Sequence, residues 1–121
     1  MGNRILVIFA HPALERSRVH YRLLKAAQAV ESVTCHDLYQ LYPDFMIDVD
    51  KEQALLSEHD IILFQYPLYW YSTPALLKEW QDLVLEYGFA YGETGLALKG
   101  KLFANVISAG GSHAAYQASG E

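Results

Sequence analysis

Apolar residues collect along this chain in two kinds of run. "RILVIF", ending at Phe9, is continuous and rich in β-branched residues, the pattern of a strand buried on both faces of a parallel sheet. "DIILFQ" (60–65) and "KLFANVIS" (101–108) repeat it, while "SVTCHDL" (32–38) alternates weakly and reads as a further strand. Between these runs the apolar positions recur at helical spacing. Leu23, Leu24, Ala27 and Val30 predict a helix from Ser17 to Val30, with Ser17 as its N-cap. Asp50 and Gln53 suit a capping box for a short helix running to about Ser57. Thr73 and Pro74 form a cap and first-turn pair for a third helix, with Leu76, Leu77, Trp80, Leu83 and Val84 on its apolar stripe and a stop at Gly88. The connection "YQLYPDFMIDVD" reads as a long loop.

Strand and helix alternate throughout, which predicts an α/β fold with a parallel sheet and right-handed crossovers. No repeat or low-complexity linker interrupts the order, so residues 1–121 read as a single domain. Ligands of such sheets sit outside the carboxyl ends of the strands, where the strand order reverses. Three loops open on that edge: "AHPALERS", "YPLYWYST" and "SAGGSHAAY".

Composition narrows the function classes. At 121 residues and 13.7 kDa there is room for one core, and 52% hydrophobic against 19% charged residues suffices to fill it. The net charge of −5 argues against nucleic acid, whose phosphates call for clustered Lys and Arg. Cys35 is the sole cysteine, which fits a reducing compartment and reads as a small apolar strand residue rather than a reactive thiol. The N-terminal apolar run ends at His11-Pro12, too short for a signal peptide or a membrane span, so a cytoplasmic protein is expected.

The first loop leads into a helix N-terminus, where free N–H groups and the positive end of the dipole favour a phosphate. It carries neither GxGxxG nor GxxxxGK[ST], so the phosphate would be held by other loop chemistry. The second loop crowds Tyr66, Tyr69, Trp70 and Tyr71 around Pro67 without a secondary-structure period. It reads as a platform for a flat ligand whose edge could meet backbone N–H groups, and equally as a subunit interface, where aromatics are also enriched. The third offers Gly110 and Gly111, a close backbone approach or a simple turn. His11 reads as a functional group or as part of an ordinary turn. Taken together, phosphate pocket, ring platform and glycine wall describe a flavin mononucleotide site. His20, His36, His59 and His113 lack metal-ligand spacing, and Asp44, Asp48 and Asp50 read as a solvated loop, so no metal is assigned. GxSxG is absent.

"FAHP", "PLYWYSTPALLKEWQDLVLEYGFAYG" and "SAGGSHAAY" resemble the flavodoxin-like NAD(P)H:quinone reductases. "HDLYQLYPDFMID" and "EQALLSEHD" bring the chain nearest to the ancillary oxidoreductases of bacterial glutathione-regulated potassium efflux systems. The resemblance covers essentially the whole chain. It implies a flavodoxin-like doubly wound parallel sheet and a homodimeric, flavin-dependent enzyme that passes hydride from NAD(P)H through the flavin to a quinone. FMN is expected, with FAD as the alternative. By motif position, His11, Ser17 and Arg18 would serve the phosphate side, and Pro67, Leu68, Tyr69, Trp70 and Tyr71 would line the ring. Ser108, Ala109, Gly110 and Gly111 would close the opposite rim, and Tyr116 matches a catalytic tyrosine that stabilises charge on the reduced ring.

The family's asparagine after the phosphate-loop serine is His20 here, and its threonine pair is Ser108-Ala109. The resemblance also implies a fifth strand, so the chain, with four, is expected to be a C-terminally truncated member. A second function class is a regulatory subunit that binds a potassium efflux transporter at the cytoplasmic face of the inner membrane. A third, a plain electron-carrying flavodoxin, is disfavoured because the loops leave room for a nicotinamide.

Overall fold

The computed structural model describes residues 3–12, 18–69 and 72–109. In chain order the elements are β1 (Ile5–Phe9), α1 (Arg18–Gln28), β2 (Val33–Asp37), α2 (Leu38–Leu41), α3 (Val49–Glu58), β3 (Ile61–Pro67), α4 (Ala75–Val84) and β4 (Leu102–Ser108). The strands form one sheet in the order β2-β1-β3-β4, with every neighbouring pair parallel. β1 is central, and Leu6, Val7, Ile8 and Phe9 are buried, which explains their unbroken apolar run.

Alternate β1 residues serve opposite faces. Leu6, Ile8 and Ala10 join Ile62 and Tyr66 of β3 in a core closed by Leu38 of α2, Leu56 of α3 and Leu76, Leu77, Trp80 and Val84 of α4. Phe9 points to the other face, where it meets the His20 ring of α1 at 6.0 Å. β2 lies on one side of β1 and β3 on the other, so the order reverses between β1 and β3. That reversal fixes where a ligand edge can form.

Among the described residues, the large core holds one buried carboxylate, Glu52 of α3. It accepts hydrogen bonds from His36 Nε2 (2.8 Å), Tyr42 Oη (2.7 Å) and Trp80 Nε1 (2.8 Å), which link β2, the turn after α2, and α4. These donors offset its desolvation and hold the Glu52 carboxyl below its ordinary range. Gln53, its neighbour, donates to the Val84 carbonyl at the end of α4.

Several local expectations need correction. The cap of α3 is Asp48, whose Oδ1 accepts from Lys51 N–H at 3.2 Å, while Asp50 lies inside the first turn. Pro74 occupies the cap position of α4 without a side-chain bond, and the buried Thr73 hydroxyl has no hydrogen-bond partner among the described residues. The inward stripe of α1 is His20, Leu24 and Ala27; Leu23 and Val30 are exposed, as is Leu83 on α4. The connection after β2 contains α2, capped by the Asp37 side chain.

β4 pairs with β3 alone among the described residues, and its Leu102 and Ile107 side chains are exposed. It is thus an edge strand here. No helix among the described residues is long and apolar enough to cross a membrane.

Candidate functional site

At the carboxyl edge of the sheet, the described parts of the three loops meet. Ala10 N–H, just past β1, donates to the Gln65 carbonyl of β3 (2.9 Å), and Leu68 N–H, just past β3, donates to the Ser108 carbonyl at the end of β4 (2.7 Å). Tyr69 and Ser72 then exchange two backbone bonds of 2.9 Å, which close a tight turn just past β3. The Tyr69 ring is 43% exposed, while Pro67 beneath it is buried. These bonds also revise one expectation. The Leu68 and Tyr69 N–H groups are both taken by protein carbonyls, so those two residues would meet a flat ligand through side chains.

α1 adds a buried polar cluster under the rim. His20 is fully buried, and its Nε2 lies 2.7 Å from Ser108 Oγ. The Gln65 side-chain nitrogen lies 3.2 Å from His20 Nδ1 and 3.4 Å from the His20 carbonyl oxygen. His11 stands edge-on to His20, with ring centroids 5.2 Å apart. Burial foremost, and then the nearby His11, lower the pKa of His20 from its ordinary 6.5. Above that value the His20 ring is therefore neutral. Asp37 ends β2 on the same edge, and burial raises its carboxyl from the ordinary value.

Of the candidates, His11 is half-buried beside His20, Leu68 is half-buried, Tyr69 and Ala109 are exposed, and Ser108 is half-buried against His20. Arg18 opens α1. Ser17, Trp70, Tyr71, Gly110, Gly111 and Tyr116 lie outside the described residues. Sequence reasoning treated His20 as a departure from a family pattern and passed over Gln65 as a strand residue; both join the buried cluster with Ser108. Their signal was a polar residue inside each of two apolar stripes.

Two described cavities lie apart from this cluster, since His20, Gln65 and Ser108 line neither. One of about 520 Å³ follows β2 between α1 and α3 and is lined by Tyr21, Lys25, Cys35 and Lys51. Another of about 290 Å³ lies between α4 and β4 and reaches Tyr66 and Thr73, which flank the aromatic turn. Burial raises the Cys35 thiol from its ordinary value, which favours the protonated form at neutral pH. Among the described residues no group of three or more His, Cys, Asp or Glu could hold a metal.

A doubly wound sheet with its converging turns at the β1/β3 reversal defines the class of protein. The chain belongs to the family with the flavodoxin-like fold, whose profile matches residues 3–121. It is 53% identical over 114 residues to the glutathione-regulated potassium-efflux system ancillary protein KefG of Shigella flexneri serotype 5b (strain 8401), a match covering 94% of this chain and 62% of that protein. The chain thus spans less than two thirds of that relative's length. Among solved structures, general stress protein 14 of Treponema denticola, in complex with FMN, matches with a TM-score of 0.92 and 45% identity over 97% of this chain and 68% of that one. An NADPH-quinone reductase from P. pentosaceus matches with a TM-score of 0.83 and 42% identity, covering 97% and 66%.

Proposed function

We propose that this chain is the flavin-binding portion of an FMN-dependent NAD(P)H oxidoreductase whose electron acceptor is a quinone. The observation that carries this reading is the closure of the rim: Ser108 is bonded through its carbonyl to the turn after β3 and through its hydroxyl to α1. The same edge carries His11, half-buried beside His20, and the exposed Tyr69. The relative solved with FMN and the relative named as an NADPH-quinone reductase support it.

In this reading each part of the cofactor is assigned to one of the loops. The start of α1, with His11, Ser17 and Arg18, would take the phosphate, because unpaired helix N–H groups favour an anion. Pro67, Leu68, Tyr69, Trp70 and Tyr71 would line one side of the ring, and Ser108, Ala109, Gly110 and Gly111 the other. Tyr116 would stand as the proton-bearing group near the reduced ring. Bound FMN would supply the hydride chemistry between nicotinamide and quinone, while the protein binds, orients and shields it. FMN is preferred to FAD because a similar protein was solved in complex with FMN. The functional unit is proposed to be a homodimer in the cytoplasm.

The test is a fluorescence titration of the purified chain with FMN, followed by anaerobic addition of NADPH and then a benzoquinone. Quenching of the flavin, bleaching of its visible band and recovery of the band on adding quinone are expected. A chain that leaves FMN fluorescence unchanged at micromolar protein contradicts the proposal.

A second reading rests on the likeness to the potassium-efflux ancillary protein: a regulatory subunit of a transporter at the inner membrane. Co-purification with such a transporter that survives Tyr69→Ala and Ser108→Ala would favour it.

A further inference from the structure

The structure brings His20 of α1 into contact with Ser108 at the end of β4. The polarity of that contact follows from its neighbours. The end of the Gln65 amide that faces Nδ1 also faces the His20 carbonyl oxygen, which can only accept, so that end is the NH2. Nδ1 is then an acceptor, and a neutral ring carries its proton on Nε2. The 2.7 Å contact is therefore an N–H donating to Ser108 Oγ. With its oxygen accepting from His20, the serine hydroxyl hydrogen has no acceptor among the described residues, and it stands at the rim.

We propose that Gln65, His20 and Ser108 form a one-way hydrogen-bond relay that fixes the Nε2–H tautomer of His20 and presents the Ser108 hydroxyl as a donor to an acceptor atom of the bound flavin. This rests on the flavin reading above. Ser108 touches the ligand; His20 and Gln65 are positioning residues that act through it. Neutral His20 is essential, since an imidazolium would turn Nδ1 into a donor facing the Gln65 NH2. Burial and the adjacent His11, the titratable group that faces it from the end of β1, both keep it neutral.

Long-range proton–nitrogen correlation spectra of the 15N-labelled full chain at pH 7.5, with His20 assigned through His20→Asn, read the tautomer directly. The Nε2–H form is expected in the wild type, and a mixture of forms in Gln65→Leu. FMN titrations supply a second readout: Ser108→Ala should weaken binding about five-fold, as for one lost neutral hydrogen bond, and Ser108→Thr should restore it. In the Gln65→Leu background, Ser108→Ala should cost less than in the wild type, because the two act in series. Circular dichroism confirms that each variant is folded. A dominant Nδ1–H form, an imidazolium at pH 7.5, or equal FMN affinity in wild type and Ser108→Ala overturns the relay. A wild-type chain that binds no FMN overturns the flavin reading and the donor role of Ser108 together, while the tautomer still decides the geometry independently.

Discussion

Trp80 Nε1 donates a 2.8 Å hydrogen bond to the Glu52 carboxylate at the centre of the larger core, tying α4 to α3 through a buried charge. Hydrogen bonds to charged groups contribute about 1.5–3 kcal/mol, more than neutral ones. Trp80→Phe keeps most of the ring but removes the donor. It is expected to lower stability by about 2 kcal/mol or more, seen as a lower urea midpoint with little change in slope. An unchanged midpoint would show that the bond contributes nothing.

The same carboxylate sets one limb of the pH dependence. The folded state depresses the Glu52 pKa below its ordinary 4.5. Its contribution is therefore complete above that value and lost as pH falls through the lower folded value. His20 acts at higher pH. Its folded pKa lies below 6.5, so an unfolded chain takes up a proton there that the folded chain refuses, and stability falls as pH drops below 6.5. Acid titration of stability should show both losses, with His20→Asn removing the upper one and Glu52→Gln the lower. A profile that neither variant alters contradicts both assignments.

Two aspartates compete for the cap of α3, and only Asp48 makes the bond to Lys51 N–H. Asp48→Ala should cost about 1 kcal/mol and Asp50→Ala a few tenths, the loss of a favourable charge in the first turn. Equal effects in thermal melts would place the cap elsewhere.

Leu77 and Leu83 lie on the same helix with opposite fates: Leu77 is fully buried and Leu83 is 41% exposed. Leu77→Ala should destabilise by about 2–5 kcal/mol, whereas Leu83→Ala should stay within about 1 kcal/mol. Denaturant curves of the two variants would separate them clearly.

The sheet was legible in the sequence because β1 and β3 pack on both faces, and a short continuous apolar run between turn formers suits a strand covered on two sides. Trp80 was legible for a related reason, as the largest member of a regular stripe. Leu23, Val30 and Leu83 were misassigned because a wide apolar arc counts flanking leucines and valines that the helix turns toward solvent. α2 went unseen since four residues are too few to show a period, and Asp48 lost to Asp50 because both stand near the start of α3. The site itself was legible as three loops but not as a bonded cluster. No local pattern can announce that His20 will meet Ser108, because the contact joins two elements far apart in the chain.

The 88 residues that separate His20 from Ser108 carry a kinetic consequence. A contact of that sequence separation carries a loop-closure cost that local contacts avoid, so it is expected to form late in folding. Ligand capture by this rim would then report a finished molecule. A ligand that recognises only that finished state adds RT ln(1 + [L]/Kd) to its stability, about 2.7 kcal/mol at a hundred-fold excess over Kd. Supply of the small molecule would therefore govern how long the chain persists in a cell, as well as what it can do.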